Sequence, residues 1–297
     1  MSGSMYSCTV ARLDVGTTMD LSTAKSFMAN MAEPISHGNR PDEVWSNEAI
    51  IYQPTNEEIL VPDKASSLSL EAFLRMCNLN YRIIYKKNAE YMSPSGKLPL
   101  LKIDIFVLSE LTTIINFAEQ RGKSLSDQLQ VWEKTELKAY LSLVTMILTN
   151  AENYVTWVDQ ENFNRLTKIR FSSIHPWPLN WILIKQKKQQ VLNRLSALGW
   201  QDKTPEEVFE EVHSCCRAFS DRLDGDYFFG SKFTELDAVF FAHIYTIVTT
   251  YLPNNQLSCV IRSYPKIITY CQRIIDKFFP ELNTSVIQDN NKYESST

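Results

Sequence analysis

The residues able to do chemistry are few and scattered. Six cysteines, Cys8, Cys77, Cys215, Cys216, Cys259 and Cys271, form no CxxC pair and no spaced framework. Reduced thiols of a cytosol-facing compartment fit that usage. Cys215 and Cys216 are adjacent in a helical pattern, where neighbouring side chains point apart, so they read as packing residues. Cys77 falls near a helix end, away from the positive dipole that activates a thiol. The four histidines, His37, His175, His213 and His243, have no mutual spacing suited to a metal. His243 sits inside an apolar run, the setting of a hydrogen-bonded core imidazole. Ser66 and Ser67 open a helical pattern, where a hydroxyl serves as a cap or as an active group.

Charge gives a second set of candidates. Lys185, Lys187, Lys188 and Arg194 make one helix locally basic, flanked by Trp177, Trp181 and Trp200. They read as a solvated face, with contact to anionic lipid or to an acidic partner surface as the alternative. Tryptophans at such places suit an interface and suit a core equally. A net charge of −4 argues against a general nucleic-acid-binding surface. At 44% hydrophobic and 22% charged, the composition is that of a soluble globular protein. No segment approaches the roughly 18 uncharged apolar residues that a membrane helix needs. The chain is therefore not expected to span a membrane by itself.

These side chains need elements to position them. Residues 1–48 are polar, with Leu21, Ala24, Phe27, Met28 and Met31 at helical spacing ahead of Pro34. This is a short amphipathic helix, either packed on the body or docking a partner through Phe27 and Met28. Residues 49–122 alternate. Strand signals at 49–53 and 81–85 bracket a helical pattern over 66–78, and two short strands at 98–102 and 105–108 precede a helix from Ser109 to Gly122. Residues 123–280 are helical: 126–158, 179–198, a capped helix from Thr204 to Leu223, a run from Thr234 to Val248, and 264–279. The Thr234 run carries a capping box, Thr234-Glu235-Leu236-Asp237, and is apolar on nearly every face, so it must be buried all round. Residues 281–297 are polar and are expected to be disordered.

That order resembles a glutathione-transferase architecture, α+β, with an N-terminal thioredoxin-like α/β domain followed by an all-α C-terminal domain. Asn88 to Lys97, the Pro176-Trp177-Pro178-Leu179-Asn180 segment, Gly199-Trp200, Cys215-Cys216, Thr234 to Ala238 and Thr246 to Thr250 resemble the metaxin family, in its second branch. The resemblance covers roughly residues 20–280. It implies a peripheral protein on the cytosolic face of the mitochondrial outer membrane, bound there through a membrane-anchored metaxin-1. It also implies a place in the sorting and assembly machinery that inserts β-barrel precursors, and links to adaptors of mitochondrial GTPase and kinesin type that couple mitochondria to motors.

The same resemblance frames the chemistry. A transferase of this fold holds glutathione near the start of its first helix and at the start of its third. Here Ser66 and Ser67 are the hydroxyls of the first place, and Glu110 and Leu111 stand at the second. Leu111 occupies the position of a serine that donates to the glutamyl carboxylate, and a leucine cannot. Pro99 stands where the fold carries a cis-proline. The expectation is a degenerate glutathione site, no cofactor, no metal and no enzyme, with a divergent glutathione-dependent transferase as the alternative.

Overall fold

The computed structural model describes residues 45–46, 48–174 and 176–283. The expected docking helix with Phe27 and Met28 lies outside the described residues, as do Cys8, His37, His175 and most of the expected tail. The described residues form one compact unit.

A four-stranded sheet comes first: β1 (Ile50–Gln53), β2 (Arg82–Tyr85), β3 (Leu100–Ile103) and β4 (Phe106–Ser109), in the spatial order β2-β1-β3-β4. β1 and β2 are parallel, joined by helix α1 (Val61–Met76); β1–β3 and β3–β4 are antiparallel. The Ile103–Phe106 register leaves Asp104-Ile105 as a two-residue hairpin turn, with Asp104 at φ 52°. Aspartate tolerates that left-handed conformation better than most residues. Short helix α2 (Ala89–Met92) lies in the loop before β3, and α3 (Leu111–Glu119) follows β4.

α1 begins at Val61, not at Ser66. Its first turn carries Pro62, whose missing N–H costs nothing there, and Asp63, whose charge suits the positive helix end. Ser66 and Ser67 therefore lie inside the helix and cap nothing. Ser66 Oγ donates to the Pro62 carbonyl at 2.9 Å.

The helical half contains α4 (Val131–Trp157), α5 (Gln160–Asn162), a π-helical stretch (Phe163–Thr167), α6 (Lys168–Ile174), α7 (Leu179–Ala197), α8 (Pro205–Arg222), α9 (Glu235–Thr249), α10 (Gln256–Arg262) and α11 (Pro265–Phe278). The helical run from 160 to 174 and α10 are additions to the expected pattern. The expected tail is ordered at its start: Glu281 forms an ion pair with Arg75 at 2.6 Å.

α9 is the centre. Every residue from Glu235 to Ile247 is buried. It packs on α1 of the sheet half and on α4 of the helical half, so one helix joins both halves to a single core. Phe219 stacks on Phe240 at 4.2 Å between centroids, and Phe228 meets Phe240 edge-on at 5.2 Å.

The cap of α9 differs in detail from the expected box. Asp237 Oδ2 accepts the Thr234 N–H at 2.7 Å and the Thr234 hydroxyl at 2.9 Å. The Asp237 N–H bonds the Thr234 carbonyl at 3.1 Å. The hydroxyl thus donates to the carboxylate, because a fully buried charge recruits every donor within reach. Oδ1 takes the Tyr270 hydroxyl at 2.8 Å and the Phe228 N–H at 3.3 Å. Phe233, the residue before the cap, packs on Tyr227 and Phe278.

Candidate functional site

A half-open cleft of about 510 Å³ runs between the sheet half and the helical half. Ser66 and Ser69 of α1, Lys97, Leu98 and Pro99 of the loop into β3, and Glu110 and Leu111 at the start of α3 line one wall. Lys134, Lys138 and Leu141 of α4 and Glu235, Val239 and His243 of α9 line the other. Four of the five residues named for the degenerate site therefore converge here. Ser67 does not: it is 2% exposed and its hydroxyl has no partner.

The Leu98–Pro99 bond is cis, the geometry the resemblance implied, and so is Trp177–Pro178. Glu110 sits at φ 68°, ψ 130° as the residue before α3, a backbone region that costs a residue with a side chain about 1–3 kcal/mol. Its carboxylate pairs with Lys97 at 3.1 Å. Leu111 follows and puts a hydrocarbon on the wall, partly buried in the core.

Several polar groups of the cleft are bonded within the protein. Ser66 and Ser69 donate to the carbonyls one turn back, at 2.9 and 2.8 Å. Ser126 Oγ donates to Glu235 Oε1 at 3.2 Å, and the Leu125 N–H joins it at 3.0 Å. Burial raises the Glu235 carboxyl above its usual range. His243 Nδ1 and Glu152 Oε1 are 2.7 Å apart, a hydrogen bond whichever partner carries the proton. Glu152 is fully buried and raised by desolvation, with His243 pulling it down. This pair ties α9 to α4, as expected of a core histidine. Sequence reasoning missed the roles of Glu152 and Glu235, whose partners His243 and Leu125 lie far away in the chain.

A nucleophile of useful acidity is not among the residues lining the cleft. Cys77 lies elsewhere, at the end of α1, and burial pushes its thiol up to about 12. Cys216 is likewise raised to about 12, and Cys215 and Cys271 are raised by burial too. Among the described residues no group of histidine, cysteine or acidic side chains could hold a metal.

The basic helix, now α7, is not one solvated face. Lys187 pairs with Glu90 of α2, across the two halves. Asp63 lies beside them, raised to about 6 by burial and by Glu90, with Lys187 opposing. Lys188 places its ammonium 3.7 Å from the centroid of Phe163, and Trp200 is buried. Lys185, Arg194, Trp177 and Trp181 of that group are exposed.

Residues 67–188 match a family described as outer mitochondrial membrane transport complex protein, and residues 212–274 match the glutathione S-transferase C-terminal domain. Human metaxin-2 is 44% identical over 241 residues, covering 80% of this chain and 92% of that protein. The Caenorhabditis elegans metaxin-2 homolog is 32% identical, covering 69% and 90%. Mouse metaxin-1 is 27% identical, covering 66% and 65%. Among solved structures, a β-etherase of Sphingobium superposes with a TM-score of 0.53 at 15% identity, covering 80% of this chain and 99% of that one. An apo glutathione S-transferase III gives 0.51 at 12%, covering 80% and 96%. At those identities the structures speak for the fold alone, which is that of the glutathione transferases. The sequence relatives decide the lineage: this chain is a member of the metaxin family, on its metaxin-2 branch.

Proposed function

We propose that this protein is a non-catalytic scaffold of a mitochondrial outer-membrane transport complex. The matching family is described as a component of such a complex, and the relatives are metaxins. The observation that carries the reading lies in the cleft. The hydroxyls of Ser66, Ser69 and Ser126 donate to backbone or carboxylate oxygens, no cysteine lines it, and Leu111 stands where, by the family resemblance, a carboxylate-binding hydroxyl would be. What remains is a rigid two-part body organised by α9 and sealed by Lys187–Glu90.

In the finer reading the protein lies peripherally on the cytosolic face of the membrane, held by a membrane-anchored metaxin-1-like partner. Among the described residues no helix is long and apolar enough to cross a membrane, which fits peripheral attachment. It would serve the β-barrel core of the sorting and assembly machinery, and adaptors of mitochondrial GTPase and kinesin type are further partners of this reading.

The competing reading, a divergent glutathione-dependent transferase, draws on the fold and the cleft volume. A turnover assay of the full chain with glutathione and a chloronitrobenzene electrophile separates the two. Scaffold function predicts rates at the uncatalysed background. Saturable turnover that Ser66→Ala abolishes would establish the enzyme instead.

A further inference from the structure

The start of α7 turns apolar side chains to solvent. Trp177, in the turn before the helix, is 83% exposed and Trp181 is 62% exposed. Leu179 and Ile182 are exposed beside them, while Ile184 and Leu195 of the same helix face inward and are buried. Lys185, one turn beyond Trp181, is exposed and holds its ammonium 5.6 Å from that indole's centroid. Exposed aromatic and aliphatic groups gathered at one point of a soluble surface mark an interaction site.

The charge carried by this stretch of the chain is of one sign. No Asp or Glu occurs between Glu161 and Asp202, while Arg165, Lys168, Arg170, Lys185, Lys187, Lys188 and Arg194 all fall there, in a chain of net charge −4. Lys187 is neutralised by Glu90 and Arg165 by Glu161. Lys185, Lys168 and Arg194 remain exposed. Exposed cations in a stretch that itself carries no carboxylate are complementary to a sheet of negative charge. Protein interfaces favour arginine and are depleted in lysine, whereas here the exposed cation beside the tryptophans is lysine. Indoles flanked by lysine are the side chains that settle at the headgroup level of a bilayer.

We propose that the exposed start of α7, Trp177, Leu179, Trp181 and Ile182 with Lys185 behind them, seats this protein directly on an anionic phospholipid surface. This deepens the membrane placement of the proposed function and rests on it, adding a lipid contact to the one made through a partner. The indoles and aliphatic groups enter the headgroup region, and Lys185 pairs with lipid phosphate.

The purified full chain is mixed with vesicles of phosphatidylcholine, with and without phosphatidylglycerol, and binding is read by flotation and by tryptophan emission. The proposal expects binding to the anionic vesicles, a blue shift of emission, and release by salt. Trp177→Ala with Trp181→Ala should weaken partitioning about tenfold, and Lys185→Gln about fivefold. Both sites are exposed, so circular dichroism should show the fold unchanged. Equal binding to neutral vesicles, or none to either kind, overturns the proposal. Co-isolation with a metaxin-1-like partner from mitochondria is measured on the same double variant. Retained co-isolation with lost vesicle binding supports a separate lipid contact. Lost co-isolation without vesicle binding makes the patch a protein interface, which overturns the lipid contact and leaves the scaffold reading standing.

Discussion

The Tyr270 hydroxyl donates to Asp237 Oδ1 at 2.8 Å, joining the last long helix to the first turn of the central one. Asp237 also receives the Thr234 N–H, the Thr234 hydroxyl and the Phe228 N–H. One buried carboxylate therefore closes the cap of α9 and fastens two other pieces of chain, at Phe228 and Tyr270, to its start.

Asp237→Ala should leave several buried donors without an acceptor. At roughly 1–3 kcal/mol for each group so stranded, with some recovered by relaxation, the loss should reach about 3 kcal/mol. Thr234→Ala removes one donor and should cost roughly 1 kcal/mol. Urea unfolding of both variants checks the ranking; equal losses would show that the carboxylate is no hub.

Burial lifts the Asp237 carboxyl from 3.8 to about 6, against the pull of its donors. A carboxyl whose folded pKa exceeds its unfolded value holds its proton more readily when folded. Its stabilising contribution is full below the unfolded pKa and is lost as pH rises through about 6. Asp63 shifts the same way, through burial and Glu90. Unfolding free energy should then rise by about 1 kcal/mol as pH falls from about 7 to about 5. Asp237→Asn should flatten that slope. A wild-type slope of opposite sign would contradict the assignment.

Lys187 lies between two acids, Glu90 and Asp63. Lys187→Ala should lower stability by about 2 kcal/mol, because it leaves two half-buried carboxylates facing each other. Adding Asp63→Asn should restore part of the loss, so the double variant melts above the single one. If Asp63→Asn lowers the Lys187→Ala melting temperature further, the acids do not repel.

Thiol labelling gives a map of exposure. Cys259 is exposed, whereas Cys77, Cys215, Cys216 and Cys271 are raised by burial. In a Cys8→Ser background at neutral pH, iodoacetamide should modify Cys259 well before the other four. Mass spectrometry of the peptides reads the order, and early modification of Cys77 would point to an opened domain contact.

Helix ends marked by side-chain caps were legible in the residues. Thr204 and Thr234 each begin a helix where the spacing placed one. The start of α1 was not, since Leu60 offers no capping side chain and the only signals were Pro62 and Asp63. The run from 160 to 174 was hidden by its π-helical stretch, which breaks the 3.6-residue period, though Asp159 does cap it through the Asn162 N–H at 2.8 Å. Of the cleft, Ser66, Pro99, Glu110 and Leu111 were found through resemblance. Glu235, Glu152 and the pairing of Lys187 depend on chain segments far apart in sequence, and no local pattern carries them.

In the proposed function this body assembles others and transforms nothing itself. Its most direct test is β-barrel assembly in mitochondria depleted of their own metaxin-2 and supplied with this chain. A labelled β-barrel precursor is imported, and the membrane-integrated, protease-protected form is quantified. The account predicts that depletion lowers this yield, and that wild type and Ser66→Ala restore it equally, while Asp237→Ala does not. An unchanged yield on depletion, or restoration that Ser66→Ala alone destroys, would contradict it.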